Sequence, residues 1–186
     1  MAFSGVRGAV MAGDHREILF RGDDGGISML ENALYTNEIC TDVQLKDRAA
    51  ELGVAVIIRD NKCKVREADG LLIGEVTETD GTRIKRRRLC VSCGVYAIGE
   101  KVSRSWTIHS RGEGSHFLIL GNQTTREIAG RCIRDYWKPK GGTLEDAVRV
   151  IILSMQEAAK TTATVSTSYT IIQTRKRVRI PELNNP

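Results

Sequence analysis

The chain has 186 residues, 41% of them hydrophobic and 27% charged, which suits one domain whose core needs no disulfide or metal staple. Ordinary charge and apolar content exclude whole-chain disorder, and apolar runs such as Val150-Ile151-Ile152-Leu153 are too short to cross a bilayer. The opening MAFSGVRGAV lacks the long apolar stretch of a signal peptide, so a soluble, cytoplasmic protein is expected. Residues 1–22 read as strands. Ala9-Val10-Met11-Ala12 is apolar throughout, the pattern of a strand covered on both faces. Val6-Arg7-Gly8 before it reads as a hairpin turn, and Ile18-Leu19-Phe20 as a further strand closed by Gly22-Asp23-Asp24-Gly25-Gly26.

Two helices follow, each announced by a capping box. Ser28 with Glu31 opens a short one ending near Tyr35, and Thr41 with Gln44 opens a second that stops at Gly53. Strands are expected over 54–58, 63–66, 71–76, 84–98 and 106–120, with turns at Asp60-Asn61, Asp80-Gly81 and Gly112-Glu113-Gly114. The faces of the 83–88 stretch are open, because its basic and apolar residues do not alternate. Thr124 with Glu127 caps a third helix, broken by Pro139 and Gly141-Gly142. Thr143 with Asp146 caps a fourth, whose stripe of Leu144, Ala147, Val148, Ile151, Ile152 and Met155 follows helical spacing. A last strand at 168–173 precedes a basic tail, assigned to 176–186. Strand runs interrupted by helix pairs suit two stacked sheets with helices outside. One face of strand 9–13 would then meet the other sheet and one would meet helices.

The net charge is +5, concentrated in Lys85-Arg86-Arg87-Arg88 and Arg175-Lys176-Arg177 with Arg179. Such clusters can hold nucleic acid. Two Trp, four Tyr and three Phe are few for base stacking, however, and the composition argues against that partner. Five cysteines, an odd number, read as free thiols. Cys90 and Cys93 form one C-x-x-C in strand-like sequence, where residues three apart point to opposite faces. His15, His109 and His116 are scattered rather than at ligand spacing. Neither a metal nor a cofactor is expected.

The order of elements, with Ala12-Gly13-Asp14-His15-Arg16 after the opening hairpin, resembles the proteasome β-subunit family of N-terminal nucleophile (Ntn) hydrolases. Leu120-Gly121-Asn122-Gln123-Thr124 is similar to the loop before that family's third helix, and Gly142-Thr143-Leu144-Glu145-Asp146-Ala147-Val148 to the opening of its fourth. The stretches 9–18, Lys64-Val65-Arg66, Gly74-Glu75-Val76 and Arg86-Arg87-Arg88 resemble the archaeal connectases, proteasome-like protein ligases of methanogens. The resemblance implies an α+β fold, a four-layer αββα sandwich of two antiparallel sheets, over residues 1–175. It implies a transpeptidase or peptidase for peptide or protein substrates, in which a terminal Thr or Ser attacks a carbonyl and its own amine is the base. An amine or water then resolves the acyl-enzyme. Connectases also carry a C-terminal domain beyond the last strand reached here.

By resemblance, Asp14 orients the nucleophile and Arg16 partners Asp14; a salt bridge at a strand end is the structural alternative. Gly121 and Asn122 would face the nucleophile's amine, or form a plain strand-to-helix turn with an Asn cap. Lys64 is a candidate for the basic residue near the nucleophile, or else a solvent-facing strand lysine. No acidic residue follows the fourth helix, where Thr161-Thr162-Ala163-Thr164 stands. The nucleophile would lie roughly sixteen positions before the aspartate, a strand-length spacing, which runs past Met1. Loss of Met1 would expose Ala2, and Ser4 stands too close to Asp14. The first strand therefore reads as clipped, with a Thr or Ser upstream. The alternative is a binding or assembly protein without catalysis. The oligomeric state is left open.

Overall fold

The computed structural model describes residues 1–79, 84–102, 105–138 and 141–180. The expected turn at Asp80-Gly81, the break at Pro139 and residues 181–186 of the tail lie outside the described residues. The chain is a mixed α+β domain with four helices and antiparallel sheets. Its strands are β1 (Ala2–Gly5), β2 (Gly8–Asp14), β3 (Arg16–Arg21), β4 (Ala55–Asp60), β5 (Val65–Ala68), β6 (Leu71–Thr79), β7 (Ile84–Ser92), β8 (Val95–Val102), β9 (Ser105–Glu113), β10 (His116–Leu118) and β11 (Tyr169–Thr174). The helices are α1 (Asp24–Tyr35), α2 (Asp42–Glu51), α3 (Gln123–Tyr136) and α4 (Leu144–Thr161). A four-stranded sheet has the order β10-β1-β2-β11, a five-stranded sheet runs β5 to β9, and β3 pairs with β4 as a separate ribbon.

The wholly apolar β2 explains how the layers meet. Val10 and Ala12 pack with Ile128 and Cys132 of α3 and with Ala147, Ile151 and Met155 of α4. Ala9 and Met11 pack the opposite way, against Val65, Leu72, Leu89 and Val91 of the five-stranded sheet. A strand buried on both faces has no use for the alternation that marks a half-solvated one. Gly74 allows the close approach: a Cβ there would stand 2.8 Å from Met11 Sδ.

Helices α1 and α2 pack on the β3–β4 ribbon, through Leu30, Leu34, Leu45 and Ala49 against Ile18, Phe20, Val56 and Ile58. The far face of the five-stranded sheet, where a helix layer was expected, meets the chain's own end instead. Val178 and Ile180 pack there with Leu71, Ile73, Cys90 and Ala97. Cys93 N–H donates to Lys176 O at 3.0 Å and Val178 N–H to Ser92 Oγ at 2.8 Å. Residues 176–180 are thus pinned by packing and hydrogen bonds, although the sequence reads as a solvated basic tail. Each of these backbone bonds satisfies a polar group that burial would otherwise leave orphaned.

Several boundaries differ from the sequence reading. The capping boxes at Thr41 and Thr143 are both formed. Helix α1 starts earlier than Ser28, capped by Asp23, whose carboxylate accepts from Gly26 N–H at 2.8 Å. Helix α3 is capped by Asn122 rather than Thr124. The 84–98 stretch is a hairpin, β7 and β8, folded at Gly94 with φ +73°. The 106–120 stretch divides into β9 and β10 at Gly114, φ +99°. In the basic stretch, Leu89 and Val91 face the four-stranded sheet while Arg88 lies over Trp106 on the far face, 4.1 Å from its ring centre.

Candidate functional site

The antiparallel β1–β2 hairpin puts the head of β1 beside the end of β2. Its turn is short, with Gly5 opposite Gly8 and Ala2 opposite Met11. Met1 continues the register: its amine donates to Ala12 O at 2.9 Å and its carbonyl accepts from Ala12 N–H at 2.8 Å. Asp14 stands two residues further along β2. The turn between β1 and β2 is the two residues Val6-Arg7. The head of β1 is also paired on both sides, to β2 and to β10.

Asp14 is the centre of the cluster. Lys64 Nζ lies 2.9 Å from each of its carboxylate oxygens, and Arg16 N–H donates to Oδ1 at 2.8 Å. The side chains of Lys64 and Asp14 are only 18% and 14% exposed. Lys64 is thus neither solvent-facing nor remote. It comes from the segment leading into β5, and Gly13 makes room for that segment, since a Cβ there would sit 2.7 Å from Val65 Cγ1. A pair this sheltered is strong only while both partners remain.

The Met1 amine is buried in the same corner. Burial pushes its pKa from 8.0 down to about 6; the negative charge of Asp14 opposes that shift and the Lys64 ammonium adds to it. At neutral pH it is an uncharged amine with a free lone pair, the protonation state a general base requires.

Arg16 does not partner Asp14 through its side chain. Its guanidinium forks onto Asp60, with Nε–Oδ1 and Nη2–Oδ2 both 2.8 Å, and Nη1 reaches Asp42 at 2.5 Å and Ala163 O at 2.9 Å. These charge-assisted bonds raise its pKa, Asp60 contributing most, and lower that of Asp60. Arg16 thereby ties β3, the end of β4, the start of α2 and the loop after α4. Arg16→Ala is expected to cost about 2 kcal/mol of stability, because buried donors and acceptors lose their partner while the carboxylates are part-exposed. Urea unfolding checks this; a loss below about 0.5 kcal/mol would mean that the clamp carries no weight.

Gly121 and Asn122 form the strand-to-helix turn that opens α3. Asn122 caps α3, its Oδ1 accepting from Thr125 N–H at 2.9 Å. Gly121 has φ +146°, and a Cβ there would lie 2.5 Å from Thr125 Oγ1. Both also line the cleft that holds Met1, Asp14 and Lys64. That cleft has a volume of about 1170 Å³ and runs from Asp14 along β3 to Met155 and Thr164. Its floor is largely apolar, and Lys62 paired with Glu17 stands on its wall.

Sequence reasoning did not single out the hydroxyl groups of the loop after α4 as site residues. Asn122 Nδ2 donates to Thr164 Oγ1 at 3.2 Å, and His15 N–H to Ser166 Oγ at 3.0 Å. The one available signal was the density of hydroxyl residues where an acid was sought. The C-x-x-C residues are separated, although only Cys90 lies in a strand and Cys93 stands in the turn between β7 and β8. Cys90 faces the far side of the five-stranded sheet, burial pushing its thiol up to about 11, while Cys93 donates to Val6 O at 3.1 Å. Among the described residues no cluster of metal-ligating side chains occurs, and no helix is long and apolar enough to cross a membrane.

Fold and site together define a mixed α+β domain with a large cleft whose charged corner sits at the head of its first strand. The family described as "Connectase MJ0548-like, N-terminal domain" matches residues 1–185, so the chain belongs to that family. No curated protein matches it in sequence.

Proposed function

We propose that this domain carries out connectase-like acyl transfer on peptides in the cytoplasm of an archaeal cell, on a proteasome-like Ntn fold in which residues 176–180 cover the outer face of the five-stranded sheet. The observation that carries the reading is the buried, neutral amine at the head of β1, set beside the Asp14–Lys64 pair. With Thr or Ser at that position, the hydroxyl oxygen bonds to a peptide carbonyl carbon and the neighbouring amine takes its proton. The tetrahedral intermediate collapses, the C–N bond breaks, and the departing amine leaves with the proton. An ester remains on residue 1. A second peptide's amine attacks it, forming a new amide and restoring the hydroxyl. Burial keeps the amine neutral, with Lys64 adding to that effect and Asp14 opposing it, so the pair sets the amine's basicity. Gly121 and Asn122 shape the wall opposite.

Strand β3 supports a peptide substrate. It pairs with β4 on one side, and Glu17, Ile18, Leu19 and Phe20 line the cleft. An extended peptide can add to such an edge through main-chain hydrogen bonds. The cleft volume also suits several residues rather than a small metabolite.

A second reading has its own observation. Residue 1 is Met, whose thioether does not accept acyl groups, so the sequence as it stands fits a peptide-binding or assembly role without catalysis. The two readings separate in one assay. Met1→Thr, released from a fusion so that the threonine amine is free, is mixed with a pooled peptide library and an excess of a second, amine-headed peptide. Exchange of peptide segments, read by mass, is the result expected of the ligase. Hydrolysis alone indicates a peptidase, and retention of peptides without cleavage indicates the binding protein.

A further inference from the structure

Thr164 lies in the loop between α4 and β11 and lines the cleft. The hydrogen bonds around it fix where its proton points. Asn122 Oδ1 accepts from Thr125 N–H at 2.9 Å, a bond only the oxygen end of the amide can take. Its Nδ2 therefore faces Thr164 and donates to Oγ1 at 3.2 Å. Thr162 is 1% exposed, and its Oγ1 accepts from the Thr164 N–H at 3.3 Å. Among the described residues, the Thr162 hydroxyl proton has one acceptor in reach, Thr164 Oγ1 at 3.0 Å. Turning it elsewhere would bury an unsatisfied donor. Thr164 Oγ1 thus receives two hydrogen bonds, which use both lone pairs, and its own proton is left to be given away. The loop is held in place meanwhile, by Arg16 on Ala163 O at 2.9 Å and by Thr162 N–H on Ala158 O at 3.0 Å.

We infer that Thr164 is a fixed, one-way hydrogen-bond donor that binds a backbone carbonyl of a peptide in the cleft. The inference rests on the peptide reading proposed above and adds the residue that sets the peptide's register. A hydroxyl whose lone pairs are both occupied selects acceptors and rejects N–H groups. Along an extended peptide the carbonyls and the N–H groups alternate in direction. One such donor therefore distinguishes a peptide lying in register from one slipped by a residue. Because Asn122 also caps α3, the donor's orientation is anchored to a helix rather than to the loop alone.

The test is a double-mutant cycle between protein and peptide. A pooled library of short acetylated and amidated peptides is incubated with the chain as it stands, and a retained peptide is identified by mass. That peptide is remade with a single thioamide at each carbonyl in turn, sulfur being the poorer acceptor. Binding is then measured for the natural chain, for Thr164→Val and for Thr164→Ser. The expected result is one carbonyl at which the thioamide weakens binding about five- to tenfold in the natural chain and in Thr164→Ser, but not in Thr164→Val. A merely structural role for Thr164 would weaken all the peptides alike and give no coupling at any carbonyl, which would overturn the inference. If no peptide is retained, the inference falls together with the peptide reading of the cleft. If peptides bind with the expected coupling but Met1→Thr never forms an ester, only the proposed chemistry fails.

Discussion

In the Met1→Thr chain, Asp14→Asn is expected to slow ester formation by a hundredfold or more while the domain stays folded. The substitution keeps the shape of Asp14 and removes its charge. Lys64 Nζ, now 2.9 Å from both carboxylate oxygens, would face an amide that cannot neutralise it. The unpaired ammonium would then act on the amine at the head of β1, lowering an affinity for protons that burial has already lowered. A weaker base costs rate, and positioned proton transfer contributes about 10²–10⁴-fold in enzymes. Breaking the pair also costs stability, about 2–4 kcal/mol for a sheltered ion pair that loses one partner. Stopped reactions followed by intact mass give the rate, and urea unfolding gives the stability. An Asn variant that reacts at the parent rate would remove Asp14 from the chemistry.

The second large effect is on pH dependence. The amine must be neutral to take the hydroxyl's proton, so the rate should rise with pH through about 6 and then level off. The two charged neighbours pull in opposite directions. Lys64→Met removes a cation that helps to lower the amine's pKa, so the rise should move to higher pH. Asp14→Asn removes an anion that raises it, so the rise should move to lower pH. Stability follows the same amine. Between about 6 and 8.0 it is protonated in the unfolded chain and neutral in the folded one, so the unfolded state binds more protons. Stability should therefore climb with pH across that window and lose this contribution as pH falls through about 6. Acetylating the Met1 amine should flatten that part of the stability profile. Shifts of the same sign in the two variants would contradict this account of the corner's charges.

What the sequence made legible follows from where the governing contacts lie. Helices α2 and α4 are announced by residues three apart, Thr41 with Gln44 and Thr143 with Asp146, because a capping box is closed within one turn. The double-faced burial of β2 could be read because a strand with no polar face leaves only one arrangement. Helix α1 was misread because Gly25-Gly26 looks like a loop. Gly26 belongs to the helix, where a Cβ would stand 3.0 Å from both Leu52 O and Val54 Cγ2, so tertiary packing selects the glycine. In the site, Asp14 and Lys64 could each be proposed from the stretches around them, but their pairing with one another could not. Lys64 is fifty residues away, and the pair is made by one sheet stacking on another. For the same reason the guanidinium of Arg16 was assigned to Asp14, two residues off, when it reaches Asp42 and Asp60.

The most direct measurement is the chemical location of the captured acyl group. The Met1→Thr chain, with its amine free, is quenched during reaction with a retained peptide, digested, and mapped by tandem mass spectrometry before and after hydroxylamine. A hydroxylamine-sensitive ester on residue 1, lost in Asp14→Asn, is the predicted result. An acyl group on Lys64 or Cys63, or none on any residue while peptides bind normally, would contradict the claim that the head of β1 is the working end of this domain.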